Sequence, residues 1–277
     1  MLKMNESRFN SLIPPQPEVL LDIARLLKAE NPDQSRIAAL IKTDVALYSV
    51  VLKSINSPYY GLRVSVTSIE HAISLLGLEQ IYNLVRLTIL RNTLKKTGRM
   101  ERFWDTAKDV SQLSLKVADK LRLRLSKDDI YTLGMLHDCG LPLMVQAFAG
   151  YREFLHSSPN FSVPELDRQE REAFGFSHYQ IGARMAERWN LPQHVADAIR
   201  LQPQICSVLM DEIDTAEKTR HLLAVLALAQ DISAEYRYYW RIQPARQVEH
   251  LQPALRFLAT TDYDYLTLKE RLIEEMA

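Results

Sequence analysis

The residues most able to do chemistry stand together at His137 and Asp138, inside the stretch Gly134–Gly140, GMLHDCG. A neutral imidazole and a carboxylate are both good ligands for a divalent cation. A catalytic metal needs at least three protein ligands and an open position for the water whose pKa it lowers. Adjacent helical residues point about 100° apart, so these two side chains converge on one ion only at a helix end or a bend. Gly140-Leu141-Pro142 supplies such a place. Without further ligands, the pair reads as two buried polar residues bonding one another and nearby helix ends.

Other candidates are fewer. His71, His156, His194, His221 and His250 have no metal-like spacing with one another and read as surface or capping residues. Asn56-Ser57-Pro58, followed by Tyr59 and Tyr60, is either a binding loop or a turn whose side chains bond backbone and close one helix against the next. The second reading is preferred, because the loop needs that chemistry to fold. The run Tyr236 to Arg241, YRYYWR, with Arg246 beyond, mixes aromatics and arginines. Such a mixture serves an interface, or seals a core with rings while the arginines reach water.

Composition bounds the partners. Lys and Arg together number 34, as do Asp and Glu, so the formal net charge is zero. That balance argues against bulk attraction to nucleic acid or an anionic membrane. Residues 1–11 lack the apolar core of a signal peptide, and no run reaches the roughly 18 apolar residues of a membrane span. Cys139 and Cys206 form no zinc-type spacing and suit a reducing compartment, so the expectation is a cytoplasmic protein. Only eight glycines occur in 277 residues, and long stretches free of glycine and proline favour helices.

The elements that must position His137 and Asp138 are all helical. After the stiff Pro14-Pro15-Gln16-Pro17, Leu20, Ile23, Ala24 and Leu27 share a face. Asn31-Pro32-Asp33 breaks the pattern, Ile37, Leu40 and Ile41 mark a second helix, and Thr43 or Asp44 caps a third. Thr67-Ser68-Ile69-Glu70 reads as a capping box, Thr67 bonding forward and Glu70 reaching back, for a helix ending near Gly77. Ile81, Leu84, Val85, Thr88 and Ile89 form the next face, and Lys95–Arg99 is a candidate hinge. Trp104, Ala107, Ser111, Ser114, Val117 and Ala118 line a long helix, and Ser126 to Asp129 opens the one that leads to His137. Ser162-Val163-Pro164 opens a charged helix; Ser177 caps one carrying Ile181, Met185 and Trp189. Val195 and Ile199 face inward on the next, a long helix spans about 215–236, and two more follow near 245–258 and 263–276. No strand-like alternation persists, so the fold class is all-α.

Several separated stretches carry a family resemblance. LIPPQPEVLLDIARLL, IAALIKTDVALYSVVLKSINSPYYG and SIEHAISLLGLEQIYNLV lie in the N-terminal half. FWDTAKDVSQLSLKVADKL, LGMLHDCG and FGFSHYQIGARMAERWNLPQHVADAI follow. Together they resemble the HDOD family over about residues 10–235. These are non-canonical relatives of the HD-domain metal-dependent phosphohydrolases, found in bacterial signalling. The resemblance implies an N-terminal bundle over 10–97 packed on a degenerate HD-like core over 98–240, with C-terminal helices over 241–277 packed back onto it. With no receiver, diguanylate cyclase or kinase segment recognisable in the sequence, the expectation is a stand-alone HDOD protein.

Carried over residue by residue, the HD ligand set is incomplete. The His-Asp pair is present as His137 and Asp138, and His178 matches a family histidine in GFSH. The early histidine position holds Thr106, and the later aspartate position holds Gln230, with Asp231 one residue late and turned by about 100°. Leu201 and Gln202 stand where the family often has two histidines, and the Gly-Tyr-Pro signature of the cyclic-di-GMP phosphodiesterases is absent. Neutral amides and a hydroxyl hold a transition metal poorly and supply no general base. The expectation is a non-catalytic regulatory protein with no cofactor and no metal, no nucleic-acid or membrane partner, and His137, Asp138, His178, Thr106 and Gln230 lining a vestigial ligand pocket. Its partner is a signalling protein or a small nucleotide-like ligand, held in the cleft between the halves or in the vacated metal cavity. The alternative is a residual metal-dependent phosphohydrolase acting on a nucleotide or cyclic dinucleotide.

Overall fold

The computed structural model describes residues 11–57, 60–95, 100–157, 161–238 and 248–276. Every regular element among them is helical. The candidate hinge beyond Lys95, Pro58 and Tyr59, and the second half of the aromatic–arginine run with Arg246 lie outside the described residues. No helix is long and apolar enough to cross a membrane among those described. The chain divides into two compact units, one over Pro14–Lys96 and one over Thr97–Ala277 that also takes in Ile13.

The first unit holds α1 (Glu18–Leu27), α2 (Gln34–Lys42), α3 (Val45–Ile55), α4 (Ile69–Leu76) and α5 (Leu78–Lys95). Short polar caps start the helices and β-branched and leucine stripes bury them. Asp33 accepts from the Arg36 N–H, and Asp44, rather than Thr43, accepts from the Leu47 N–H. Leu20, Ile23, Ile37, Ile41, Val51, Ile55 and Ile81 are among the core residues. Asn56 closes α3 against the following segment. Its amide N–H donates to the Leu52 and Val66 carbonyls at 3.0 and 2.8 Å, and its Oδ1 accepts from the Val66 N–H at 2.7 Å.

The capping box at Thr67 is not formed. The cap is Ser68, which accepts from the His71 N–H at 3.1 Å. With the cap one residue later, Glu70 stands at the helix's second position and pairs with Lys42 instead of reaching back. The Thr67 carbonyl accepts from the Tyr48 hydroxyl at 3.2 Å. Gly77 ends α4 with a positive φ of 83°, a conformation that favours glycine.

The second unit begins with α6 (Glu101–Lys120), α7 (Lys127–Leu136), α8 (Gly140–Ala147), α9 (Tyr151–Ser157) and α10 (Val163–Phe174). It continues with α11 (His178–Arg188), α12 (Gln193–Leu201), the short α13 (Ile205–Leu209), α14 (Glu217–Tyr238), α15 (Gln252–Phe257) and α16 (Asp262–Glu274). Helices α6 and α7 pack closely, and α14 lies against α6, α7, α12, α15 and α16. Ile181 and Met185 of α11, with Trp189 at its C-terminal cap, are wholly buried. Ser126 caps α7 by accepting from the Asp129 N–H, but the Asp129 carboxylate does not return to the cap. It takes the His194 imidazole at 2.9 Å and the Lys218 ammonium at 2.6 Å, tying the starts of three helices together.

Helix α16 is fastened to α14 by Asp231, whose carboxylate accepts from the Tyr265 hydroxyl, from Lys269 at 2.7 Å and pairs with His250 at 3.1 Å. Lys269 reaches Glu235 as well. Burial would raise the Asp231 pKa, but these three partners bring it down to about 2.

Candidate functional site

Helix α7 stops at Leu136, and His137, Asp138 and Cys139 form a turn before α8 starts at Gly140. The turn is what lets consecutive residues face one another. His137 Nε2 lies 3.3 Å from Asp138 Oδ2. Both flanking glycines are required by close packing. A Cβ on Gly134 would come within 2.8 Å of the Ser111 backbone nitrogen on α6. One on Gly140 would strike the His178 carbonyl and lie 2.6 Å from Ile181 Cγ2 on α11. The bare Cα of Gly140 thus sets the start of α11 against the turn, and His178 with it.

His178 is the first residue of α11, whose cap Ser177 donates its N–H to Gln180 Oε1 at 3.0 Å. Its Nε2 faces Asp138 Oδ1 at 3.6 Å. Its Nδ1 lies 2.8 Å from both oxygens of Glu170 on α10, and its backbone N–H donates to Glu170 Oε2 at 2.9 Å. The Tyr151 hydroxyl on α9 donates to Glu170 Oε1. On the other side, His137 Nδ1 donates to the Gly134 carbonyl at 2.8 Å. The His137 carbonyl accepts from Gln202 Nε2 at 2.7 Å, and Gln202 Oε1 accepts from Gln230 Nε2 at 3.3 Å. One polar chain therefore runs Tyr151, Glu170, His178, Asp138, His137, Gln202, Gln230, crossing α9, α10, α11, the α7–α8 turn, the end of α12 and α14.

Of the five residues expected to line a pocket, four lie on this chain. Thr106 does not: its hydroxyl donates to the Arg102 carbonyl one turn back along α6, at 2.9 Å. Asp231 points away to Tyr265 and Lys269, as its one-residue offset from Gln230 requires. The sequence reading missed Glu170 and Tyr151. Glu170 belongs to a charged helix, yet its side chain is wholly buried. The available signal was its place on one stripe with Asp167 and Phe174, also buried.

The electrostatics follow from burial and pairing. Glu170 and His178 side chains are 0% and 1% exposed, His137 4%, and Asp138 27%. Burial pulls the His178 pKa down, but the Glu170 and Asp138 carboxylates outweigh it and carry it to about 9. Burial likewise opposes protonation of His137, and the Asp138 carboxylate reverses the effect. Asp138 is held well below the usual carboxylate range: burial pushes it up, and the two imidazoles more than offset that. Burial and Glu170 push the Tyr151 hydroxyl far up. The neighbouring carboxylates thus raise both imidazoles, and the two imidazoles together lower Asp138.

An HD-type metal would find only part of its ligand set here, with Thr106 and Gln230 at two of the expected positions. Each histidine Nδ1 has an acceptor at 2.8 Å, and each Nε2 faces the Asp138 carboxylate, at 3.3 Å from His137 and 3.6 Å from His178. The next positions are carboxamides bonded to one another. Among the described residues, no group of three or more His, Cys, Asp or Glu side chains is arranged to hold a metal ion.

Comparison with known proteins is consistent across sequence and fold. The HDOD domain profile matches residues 13–205. An uncharacterized protein of Treponema pallidum (strain Nichols) is 29% identical over 251 residues, 85% of this chain and 47% of its own length. The chain therefore spans about half the length of that curated relative. A crystal structure of a candidate phosphohydrolase from Shewanella amazonensis SB2B superposes with a TM-score of 0.68 at 20% identity, over 98% of this chain and 93% of that one. A candidate signal transduction protein from Marinobacter aquaeolei VT8 gives 0.67 at 21% identity, over 99% of this chain and 60% of that one. At such identities the likeness is one of fold.

Proposed function

The chain belongs to the HDOD family, and from that premise we propose that it is a cytoplasmic regulatory protein of bacterial signalling that works by binding and performs no reaction at His137–Asp138. Its partner is a signalling protein or a small nucleotide-like ligand. The observation that carries this reading is the closed polar chain from Tyr151 to Gln230, in which the groups a hydrolase would direct at metal and water are paired with one another. An HD hydrolase needs lone pairs free for metal and a carboxylate free to take a proton. Here both imidazole Nδ1 atoms are taken by acceptors, both Nε2 atoms face the Asp138 carboxylate, and neutral carboxamides complete the chain. A largely buried polar network that joins six segments holds them in one arrangement, which is a use for these residues without catalysis.

Metal analysis of protein purified without chelator, paired with a phosphodiester hydrolysis assay in added Mn²⁺ or Fe²⁺, tests the reading. The expected result is substoichiometric metal and no turnover above buffer. Stoichiometric metal that disappears in His137→Ala, together with turnover that disappears in the same variant, overturns it in favour of a residual phosphohydrolase.

A further inference from the structure

A cavity of about 480 Å³ lies wholly within the N-terminal unit, lined by residues at the starts of α1 and α3 and the C-terminal half of α5. It is of the size that takes a small molecule or one or two side chains. Val19, Ala46, Leu47 and Ile89 give it an apolar body, and Asp44, Asn92 and Thr93 a polar part. No lining residue carries a positive charge.

The polar groups are rich in acceptors. Asp44 Oδ1 caps α3 by accepting from the Leu47 N–H at 3.0 Å, and Oδ2 has no hydrogen-bond partner among the described residues. The Asn92 carboxamide is exposed and likewise makes no hydrogen bond among the described residues. Thr93 donates its hydroxyl proton to the Ile89 carbonyl at 2.8 Å, which leaves its oxygen as an acceptor. Glu18, exposed between the lining residues Pro17 and Val19, adds a second carboxylate close by in the chain. A phosphate or carboxylate would meet like charge here. A cationic group with several N–H donors on a short apolar stem meets three acceptor side chains and an apolar wall for the stem.

We propose that this cavity is a binding site for an ammonium or guanidinium group on an aliphatic stem. The cation lies against Asp44, with Asn92 and Thr93 as further acceptors, and the stem against Ala46, Leu47 and Ile89. The chemistry is shared by a free alkylamine and by the lysine or arginine side chain of a partner. The site is separate from the His137 chain and does not depend on whether that chain is catalytic.

Amide and side-chain NMR of the ¹⁵N-labelled full chain, titrated with butylamine, butylguanidinium, butanol and butyrate, reads the site directly. The two cations are expected to shift Leu47, Asn92 and Thr93 resonances saturably, and butanol and butyrate to leave them in place. Asp44→Asn keeps the cap, because asparagine is as good an N-cap as aspartate, and removes only the charge. It is expected to weaken cation binding roughly tenfold or more with the unliganded melting temperature unchanged. Ala46→Phe, which fills the cavity, is expected to abolish binding. A capped Leu-Arg-Leu peptide that binds at least tenfold more tightly than butylguanidinium assigns the site to a partner's side chain; equal or weaker binding assigns it to a free amine. All four probes binding alike, no probe binding, or Asp44→Asn binding the cations as the parent does overturns the proposal.

Discussion

Replacing Glu170 by glutamine keeps the side chain's shape and removes one charge from the centre of the polar chain. Glu170 accepts from the His178 N–H, from His178 Nδ1 and from the Tyr151 hydroxyl. A glutamine carbonyl can still serve the backbone N–H, and the tyrosine hydroxyl can turn to accept from the new amide. What is lost is the attraction that holds His178 protonated. The His178 pKa rises from 6.5 to about 9. At about 1.4 kcal/mol for each tenfold change in proton affinity, that rise is worth on the order of 3 kcal/mol, shared between Glu170 and Asp138. Because the folded value lies above the unfolded one, this stability is fully present below about pH 6.5 and is lost as pH rises through 9. Urea unfolding followed by tryptophan fluorescence suits the test, because Trp104 and Trp189 are both buried in this unit. At pH 6 the variant is expected to be less stable than the parent by roughly 2 to 3 kcal/mol. Between pH 6.5 and 9 the parent is expected to lose more stability than the variant, whose His178 keeps only Asp138, so that the two draw together. A variant within about 0.5 kcal/mol of the parent at pH 6, a difference no larger than ordinary surface substitutions give, would refute this role for Glu170. So would a pH slope as steep as the parent's.

Gly140→Ala would ordinarily help a helix, but its Cβ meets the His178 carbonyl. Overpacking against backbone is expected to cost roughly 2 kcal/mol net and lower the melting temperature by about 5 °C, measured by circular dichroism. Asp231→Asn leaves the mostly buried Lys269 with Glu235 as its one remaining carboxylate among the described residues and is expected to cost about 2 kcal/mol, with faster proteolysis of α16. The parent's Asp231, lowered from 3.8 to about 2, contributes stability that is present above pH 3.8 and lost as pH falls through 2. The variant's acid unfolding should be correspondingly shallower over that range. Asn56→Ala removes partners from both backbone groups of Val66 and is expected to destabilise the N-terminal unit by roughly 2 kcal/mol, read as faster hydrogen exchange at Val66 and in the adjacent turn of α3.

Much of the local structure was legible before any coordinates. Helix faces such as Ile181, Met185 and Trp189 follow from the 3.6-residue period, which any core must respect. The separation of Gln230 from Asp231 follows too, since neighbours on a helix cannot share a face. The capping of α4 was not legible: Thr67 and Ser68 are both good caps, and the choice fell to the one that leaves Glu70 opposite Lys42, 28 positions away.

The sequence by itself determined an all-α chain, the HDOD motifs, and a His-Asp pair with Thr106 and Gln230 at two of its expected ligand positions. The tertiary structure alone decided what that pair does with its charges. Glu170 and Tyr151 enter the chain from α10 and α9, and Gln202 joins His137 across 65 positions of sequence. Local sequence fixes which way a side chain leaves its helix. Whether a carboxylate there is solvated or buried, and against which cation, depends on how distant helices pack, and at Gly140 that packing is set by the absence of a single Cβ.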